Sequence, residues 1–305
     1  MYILVFFFAL LAQAHGEKTD PPDAARMFLF ADHAFARGEY DTAISEFSRF
    51  LYFYPDHSQK EEALYKTGMS HFKQGRFGKA AEVFDQVIQQ YEYTDYAIES
   101  AFMGAEIDKR SDDYTAAYYR LNALTHERFD PEIRDRALFQ IGWLFLEIRD
   151  HASAGRAFDS ISDARKSIYG ADDIVSRLGD LASVPTKSPV AAGVLSIFPG
   201  GGYLYTGRYQ DALISFVFIA AGAGAAYESF DNDLNILGSI AALVTAGFYS
   251  GSAYGSIGAA HKYNTRTYDD FVDTLKQNTP AETLRPVFGL IPQQNAAYLT
   301  FHISF

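Results

Sequence analysis

The chain has 305 residues, of which 48% are hydrophobic and 21% charged, so it can bury a core and is not globally disordered. Its formal net charge of −12 disfavours nucleic acid as a partner, because the phosphates would be repelled. Cysteine is absent, which excludes disulfides, thiolate metal sites and lipid-modified cysteines.

Residues 1–16 are predicted to be a cleaved export signal. Tyr2 to Leu11 form an apolar run that is too short to span a bilayer, and Ala12-Gln13-Ala14 supplies the small residues of a cleavage site. No Lys or Arg precedes the run, which departs from the usual signal. The alternatives are a misassigned start codon and a segment with another role.

A period of 37 residues runs four times through residues 24–182. Within each copy the apolar residues also recur three and four positions apart, which is typical of amphipathic helices. The pattern predicts a mainly α fold, an αα-solenoid of four stacked helix pairs, closed by a capping helix from Ala171 to Val184. The recurring columns are Ala31, Gly68, Ala105 and Gly142; Ala43, Ala80, Ala117 and Ala154; Tyr40, Phe77, Tyr114 and His151; and Phe47, Phe84, Leu121 and Phe158.

These columns resemble the tetratricopeptide repeat family, which places a small residue in the first helix, an aromatic after the turn and Ala early in the second helix. The turn position holds Gly38 and Gly75 in the first two copies and Asp112 and Arg149 in the others. The third copy also departs from the pattern at Asp108, where a bulky apolar residue is usual. The longer period is similar to that of family members in the bacterial envelope. The resemblance implies a non-enzymatic scaffold that binds a protein or peptide partner.

An aromatic column in the first helices allows two interpretations. In tetratricopeptide repeats this position faces the concave groove, so the resemblance implies a groove that binds the partner. The alternative is packing between repeats, because aromatic residues at helical spacing are usually core. The aromatic column is Phe28, Tyr65, Phe102 and Phe139, and Phe35 and Phe72 lie on the same predicted surface.

Residues 183–189 are predicted to be a linker, and residues 190–262 a membrane-associated helical hairpin. The stretches 212–227 and 234–260 carry no charge, and the second is long enough to span a bilayer. Gly247, Gly251 and Gly255 follow one another every fourth residue, a spacing that lets helices approach closely in lipid. The packing interpretation places this contact within the hairpin, and the alternative is a homo-oligomer.

A glycine-rich segment precedes the hairpin. It contains Pro199, Gly200, Gly202 and Gly207, and it resembles the Pro-Gly-x-Gly signature of small bacterial membrane-hairpin families of undefined function. A nucleotide-binding loop is disfavoured because no Gly-Lys-Ser/Thr follows. The glycines are instead expected to allow a sharp turn at the membrane surface.

Two signals disagree about topology. A cleaved export signal would place the repeats in the periplasm, in the bacterial cell envelope. Arg208, Lys262 and Arg266 flank the hairpin, however, and the positive-inside rule would place these flanks in the cytoplasm. In the tail, residues 263–305, apolar and polar residues alternate near the end, which predicts a short β-hairpin.

No catalytic constellation is evident. The eight His lack metal-ligand spacing, and neither a Gly-x-Ser-x-Gly elbow nor a Cys nucleophile is present. We therefore expect no enzyme, no metal and no cofactor. The leading interpretation is a membrane-anchored adaptor, and the alternative is a membrane-active oligomeric module, a pore or a transport or secretion component, that the repeats recruit.

Overall fold

The computed structural model describes residues 23–280, and all regular structure in this range is helical. Contacts divide the described chain into two units, residues 23–162 and residues 163–280. The predicted export signal and the predicted β-hairpin near the end of the tail lie outside the described residues.

The first unit consists of four helix pairs, so the predicted solenoid of mainly α fold is confirmed. Every second helix begins at the bulky residue that follows the turn, Tyr40 in the first pair and Phe77 in the second. The pairs are α1 (Ala24–Ala36) with α2 (Tyr40–Phe53), α3 (Lys60–Lys73) with α4 (Phe77–Gln90), α5 (Asp95–Arg110) with α6 (Tyr114–Ala123), and α7 (Pro131–Glu147) with α8 (His151–Asp159).

The turn inside each pair uses a left-handed backbone residue. Gly38 and Gly75 have φ values of 78° and 73°, and Asp112 and Arg149 have 59° and 63° at the equivalent positions. The last two copies therefore keep the turn geometry without glycine, although this conformation is unfavourable for residues with a Cβ.

Small residues in the first helices allow the second helices to pack against their backbone. A Cβ added at Gly68 would lie 2.7 Å from the Phe84 ring, and one at Gly142 would lie 2.5 Å from the Phe158 ring. Both rings are completely buried, as are the alanines of the second helices, such as Ala80. The repeat period thus reflects a packing requirement that recurs in every helix pair.

The second unit includes residues 163–182, which the sequence places with the repeats, because their contacts are mostly with the rest of this unit. The segment 171–184, where the sequence predicts a capping helix, holds a helix and a 3-10 turn, and residues 184–188 are irregular. The helices are α9 (Asp163–Tyr169), α10 (Ala171–Gly179), the 3-10 turn Asp180–Ser183, α11 (Pro189–Leu195), α12 (Gly201–Tyr205), α13 (Tyr209–Asp231) and α14 (Asn235–Asn278).

The last helix is longer than the predicted hairpin arm. The predicted membrane-associated hairpin ends at residue 262, whereas α14 continues through residues 263–278 of the predicted tail. Neither Gly nor Pro occurs between Gly258 and Pro280, and Val272 and Leu275, three residues apart, are both buried. This buried face favours a helix in the segment.

Two helices of the second unit are long and apolar enough to cross a membrane, α13 and α14. Their length and composition alone are weak support for a membrane location. Most of their large apolar side chains point away from the protein; Leu213 is 64% exposed and Leu243 is 77% exposed. A core helix of a water-soluble protein would bury such residues.

Candidate functional site

The first helices of neighbouring repeats lie side by side. The buried rings of the aromatic column lie beneath the surface that these helices form, and we call this layer the aromatic floor. Phe28 packs on Phe47 with ring centroids 5.7 Å apart, and Phe139 packs on Phe158 at 5.8 Å. All four residues of the aromatic column are at most 9% exposed. Their burial favours packing between helices as the role of these rings.

Phe35 and Phe72 complete the set of predicted groove residues. Phe72 is 8% exposed, whereas Phe35 is only partly buried and packs against the cluster that contains Tyr65 and Phe72. Phe35 is therefore the most accessible residue of the six that the sequence proposed for partner binding.

Cations from the following repeat cover two rings of the aromatic column. The Lys66 Nζ lies 5.5 Å from the centroid of Phe28, and the Arg136 guanidinium carbon lies 3.7 Å from the centroid of Phe102. Both distances suit cation–π attraction. A partner that approaches the first helices would therefore meet charged groups before it meets the aromatic floor.

Acidic side chains fix these cations. Lys66 contacts Asp32 of the preceding first helix and lies 2.7 Å from Glu62 on its own helix. Arg136 binds Glu99 through both of its terminal nitrogens, and the Glu99 and Arg136 side chains are 8% and 10% exposed. These ion pairs connect α1 to α3 and α5 to α7, so they hold neighbouring repeats in register.

A second group of charges lies at the other end of the first helices. The Arg110 guanidinium carbon lies 5.1 Å from the centroid of Phe72, and its Nε donates to Glu106 at 2.7 Å. Burial opposes ionisation of Glu106, but the Lys109 ammonium and the hydrogen bonds from Arg110 and Lys109 outweigh it and hold the pKa of this carboxyl below its usual value. This surface can offer charge-assisted hydrogen bonds to a polypeptide.

These charged residues were not predicted, although one signal in the sequence points to them. Glu62, Glu99 and Arg136 occupy a single column of the period, so a charge reversal within that column could have indicated a contact between repeats. In the described part of the chain, no group of three His, Asp or Glu residues is placed to hold a metal ion.

In the second unit, the three hairpin glycines have different surroundings. A Cβ at Gly255 would lie 2.0 Å from the Tyr203 hydroxyl, so this glycine serves packing within the chain. Nothing lies within 4 Å of a Cβ built on Gly247 or Gly251. The close approach of α13 and α14 occurs elsewhere, where Gly222 faces Thr245.

Gly247 and Gly251 instead line an open apolar groove of about 490 Å³ between α12, α13 and α14. Phe218 and Phe248 stack at one side of this groove with ring centroids 5.5 Å apart. Its other lining residues include Tyr203, Ile214, Ser215, Ile219, Val244 and Ser252.

The glycine-rich segment makes two tight turns and one close packing contact. After Pro199, Gly200 has a φ of 80° and begins α12, and Gly207 has the same φ beyond its end. Gly202 packs against α14, because an added Cβ would lie 2.4 Å from the Ser256 hydroxyl oxygen. Gly200 and Gly207 thus lie in turns and Gly202 serves helix packing, whereas a position of this segment at the membrane surface stays a prediction.

One family model matches part of the first unit. Residues 62–92, which cover α3 and α4, match the family model "Tetratricopeptide repeat". The crystal structure of a tetratricopeptide repeat protein from Parabacteroides merdae ATCC 43184 is similar at 15% identity and a TM-score of 0.44, covering 82% of this chain and 97% of that chain. No curated protein matches the chain.

Proposed function

We propose that this protein is a non-enzymatic adaptor that binds a protein partner through its repeats and is anchored to a membrane by α13 and residues 235–260 of α14. One observation supports the proposal above all: a packed array of helix pairs shares a chain with two apolar helices whose large side chains are mostly exposed. The first kind of structure usually recognises polypeptides, and the second is stable only when lipid or protein covers it.

The partner site is assigned to the surface of the first helices. Phe35 is its accessible point of contact, and the five buried aromatic residues Phe28, Tyr65, Phe72, Phe102 and Phe139 form the packed layer beneath this surface. The charged groups around Lys66 and Arg110 form its polar rim. Such a surface suits a polypeptide with both apolar and charged side chains, and binding should weaken as salt is raised.

Two features of the sequence bear on which side of the membrane the repeats occupy. The apolar N-terminal run and the repeat type of the envelope proteins support an exported protein, with the repeats in the periplasm of a bacterium. The positive flanks of the hairpin support the opposite orientation, and sided protease digestion separates the two.

Site-specific cross-linking tests the partner site. A photoreactive amino acid in place of Phe35 should form adducts with the partner in cells, because this ring is only partly covered. The matched control is Tyr52 on α2, which is 80% exposed but belongs to a second helix. Adducts from position 52 and none from position 35 would contradict the assignment.

The open groove favours a second candidate function, a membrane-active oligomer. Gly251 lines this groove and has open space around it. A single Gly251→Leu chain should therefore still fold, but the added side chain should block the contact of this groove with a second copy of the protein. Gly224→Leu is the control, because Gly224 also has nothing within 4 Å and lies outside the groove lining. If light scattering in detergent shows a wild-type monomer, the oligomer is excluded.

A further inference from the structure

One side of α1 carries large apolar side chains that no described residue covers. Leu29 and Phe30 are 64% and 54% exposed. Arg26 and His33 are also exposed, and their spacing of three and four residues from this pair places all four on one side of the helix. We call these four residues the α1 outer surface.

The repeat period shows which kind of surface this is. In every later repeat, the residues equivalent to Arg26, Phe30 and His33 are buried. These residues are Ala63, Ser100 and Ala137; Thr67, Gly104 and Ile141; and Ser70, Ile107 and Leu144. Ala63 belongs to the core cluster of the first repeat, and Leu144 to that of the third, so these positions pack on the preceding repeat. The α1 outer surface therefore has the position at which a preceding helix would pack.

The other end of the repeat array offers no matching surface for a second copy of the chain. Leu146 is equivalent to Phe35, which packs against the cluster of the following repeat. Although Leu146 belongs to the last repeat, it is 0% exposed, and Trp143 on the same helix is 8% exposed. A head-to-tail stack of copies therefore lacks the second surface that it needs.

Charge disfavours a symmetric contact between two copies. Arg26 forms no ion pair with any described residue, and the α1 outer surface contains no carboxylate. Two copies that met through this surface would cover Arg26 without a counter-charge, which is costly. The occupant that suits the surface therefore supplies an acid and is a different molecule.

The contacts between the first helices of neighbouring repeats show how such an acid is used. Lys66 pairs with Asp32 of the preceding first helix, and Arg136 pairs with Glu99 of the preceding first helix. In both pairs the following helix provides the cation and the preceding helix provides the carboxylate. Arg26 has the cation of such a pair, and its carboxylate is the part that the occupant would supply.

We propose that the α1 outer surface binds an amphipathic helix of a protein partner, and that this helix carries Asp or Glu beside its apolar stripe. The apolar stripe packs on Leu29 and Phe30, and the acid pairs with Arg26. The partner helix thus takes the place of a preceding repeat, whose helices would cover the apolar edge of the array. This surface is separate from the partner site around Phe35, so the inference goes beyond the proposed function and does not rest on it.

Two synthetic peptides test the proposal with the full chain in a non-ionic detergent. Both are amphipathic helices with the same Leu stripe, and Glu flanks the stripe in one and Lys in the other. Binding is measured by fluorescence anisotropy of the labelled peptide, and the signal from micelles without protein is subtracted. The variants are Arg26→Glu and Phe30→Asp, and the matched control is Tyr52→Asp. Tyr52 is 80% exposed, and its equivalent in the second repeat, Gln89, is exposed as well.

The Glu peptide should bind the wild type and Tyr52→Asp equally and should lose its affinity for Phe30→Asp. Arg26→Glu should weaken the Glu peptide about tenfold or more and strengthen the Lys peptide, because the charge that faces the peptide is reversed. Equal binding of the Glu peptide to the wild type and Phe30→Asp would overturn the proposal. If only Phe35→Asp weakened it, the peptide would belong to the partner site of the proposed function.

The remaining outcome is that neither peptide binds the wild type, and this also overturns the proposal. Light scattering then distinguishes the other occupants of the surface. A dimer that Phe30→Asp converts to a monomer would assign the α1 outer surface to a second copy. A monomer would leave residues 1–22 of the same chain as the candidate cover. Binding through Phe35 is measured separately by cross-linking, so the proposed partner site stands or falls on its own result.

Discussion

Arg120 Nε donates to Asp108 Oδ2 at 3.0 Å, which explains the acidic residue that departs from the repeat pattern in the third copy. A terminal nitrogen of the same guanidinium donates to Asp85, in the preceding repeat, at 2.6 Å. Asp108 thus holds an arginine that connects α4, α5 and α6. The departure from the consensus marks an exchange of apolar packing for an ion pair within the third repeat, whose arginine also reaches the preceding repeat.

Replacing Asp108 should destabilise the repeats more than replacing Asp85. The Asp108 side chain is 16% exposed and that of Asp85 is 43% exposed. Asp108→Ala should cost about 1–3 kcal/mol, because a hydrogen bond to a charged and mostly covered group is lost. Asp85→Ala, its control on the same arginine, should cost at most about 1 kcal/mol. Urea unfolding followed through Trp143, the single tryptophan of the chain, measures both, and equal losses would contradict this assignment.

Gly68→Ala should disturb the packing of the second repeat. The new Cβ would lie 2.7 Å from the Phe84 ring, so the two helices must separate, at a cost of about 1–3 kcal/mol. Gly78→Ala is the control on the facing helix, where nothing lies within 4 Å, and it should stabilise the helix by up to about 1 kcal/mol. If Gly68→Ala leaves the free energy of unfolding unchanged in the same urea assay, the two helices can accommodate the added methyl group and the packing argument is wrong.

The left-handed turn residues provide a reciprocal test. Gly75→Ala should cost about 1 kcal/mol from backbone strain alone, because its φ is 73° and open space surrounds it. Asp112→Gly, at the equivalent position in the third repeat, should gain about 0.5–1 kcal/mol, less the weak hydrogen bond from the Tyr114 hydroxyl. Thermal unfolding should therefore shift in opposite directions, and shifts of the same sign would refute the turn argument.

Removing one partner of the buried Glu99–Arg136 pair should destabilise the protein more than replacing both partners. Glu99→Gln leaves the guanidinium of Arg136 covered without a counter-charge, which should cost about 3–5 kcal/mol. The double variant Glu99→Gln with Arg136→Met removes the charge and keeps apolar cover over Phe102. It should recover part of the loss. A double variant that loses the sum of both single losses would indicate that the two residues are not coupled.

Acidification should destabilise the second repeat through His71. Burial, and then the charges of Lys79 and Arg76, lower the pKa of His71, and its Nδ1 has no hydrogen-bond partner among the described residues. A lowered pKa in the folded state means that the unfolded chain binds more protons, so stability rises with pH. The contribution is complete above the unfolded pKa of about 6.5 and is lost as the pH falls through and below it.

His71→Phe tests this pH dependence. The fourth repeat has Phe145 at the equivalent position, so the repeat framework can accept an aromatic ring there. Between about pH 7.5 and pH 5.5, the urea midpoint should fall less in the variant than in the wild type. It should still fall somewhat, because burial also lowers the pKa of His151. Identical slopes would exclude His71 as a contributor.

The sequence predicted the repeat fold well because its period records local packing. Each small residue of a first helix faces a bulky residue of its own second helix, as Gly68 faces Phe84, and such contacts recur at a constant spacing. For the aromatic column, the sequence left open whether the rings face a groove or pack between repeats. The period assigns Tyr65 and Phe102 to the first helices, but their burial depends on which side chains of the next repeat lie over them.

In the second unit, contacts between residues that are distant in the sequence could not be predicted. Composition identified two apolar helices, but it could not distinguish Gly255, which contacts Tyr203, from Gly251, which contacts nothing. Contacts between residues far apart in the sequence leave no periodic trace. For the same reason, the attachment of α11 and α12 to α14 through Ser196 and Ser256 was not predicted.

Protease digestion of spheroplasts, followed by an alkaline wash of the membranes, tests the central claim most directly. A membrane-anchored exported adaptor should lose its repeats to protease added from outside, while a fragment that contains α13 and residues 235–260 of α14 stays protected and resists extraction. Release of the intact chain by the alkaline wash would contradict the anchor. Protection of the repeats until lysis would contradict the periplasmic location and direct the search for a partner to the cytoplasm.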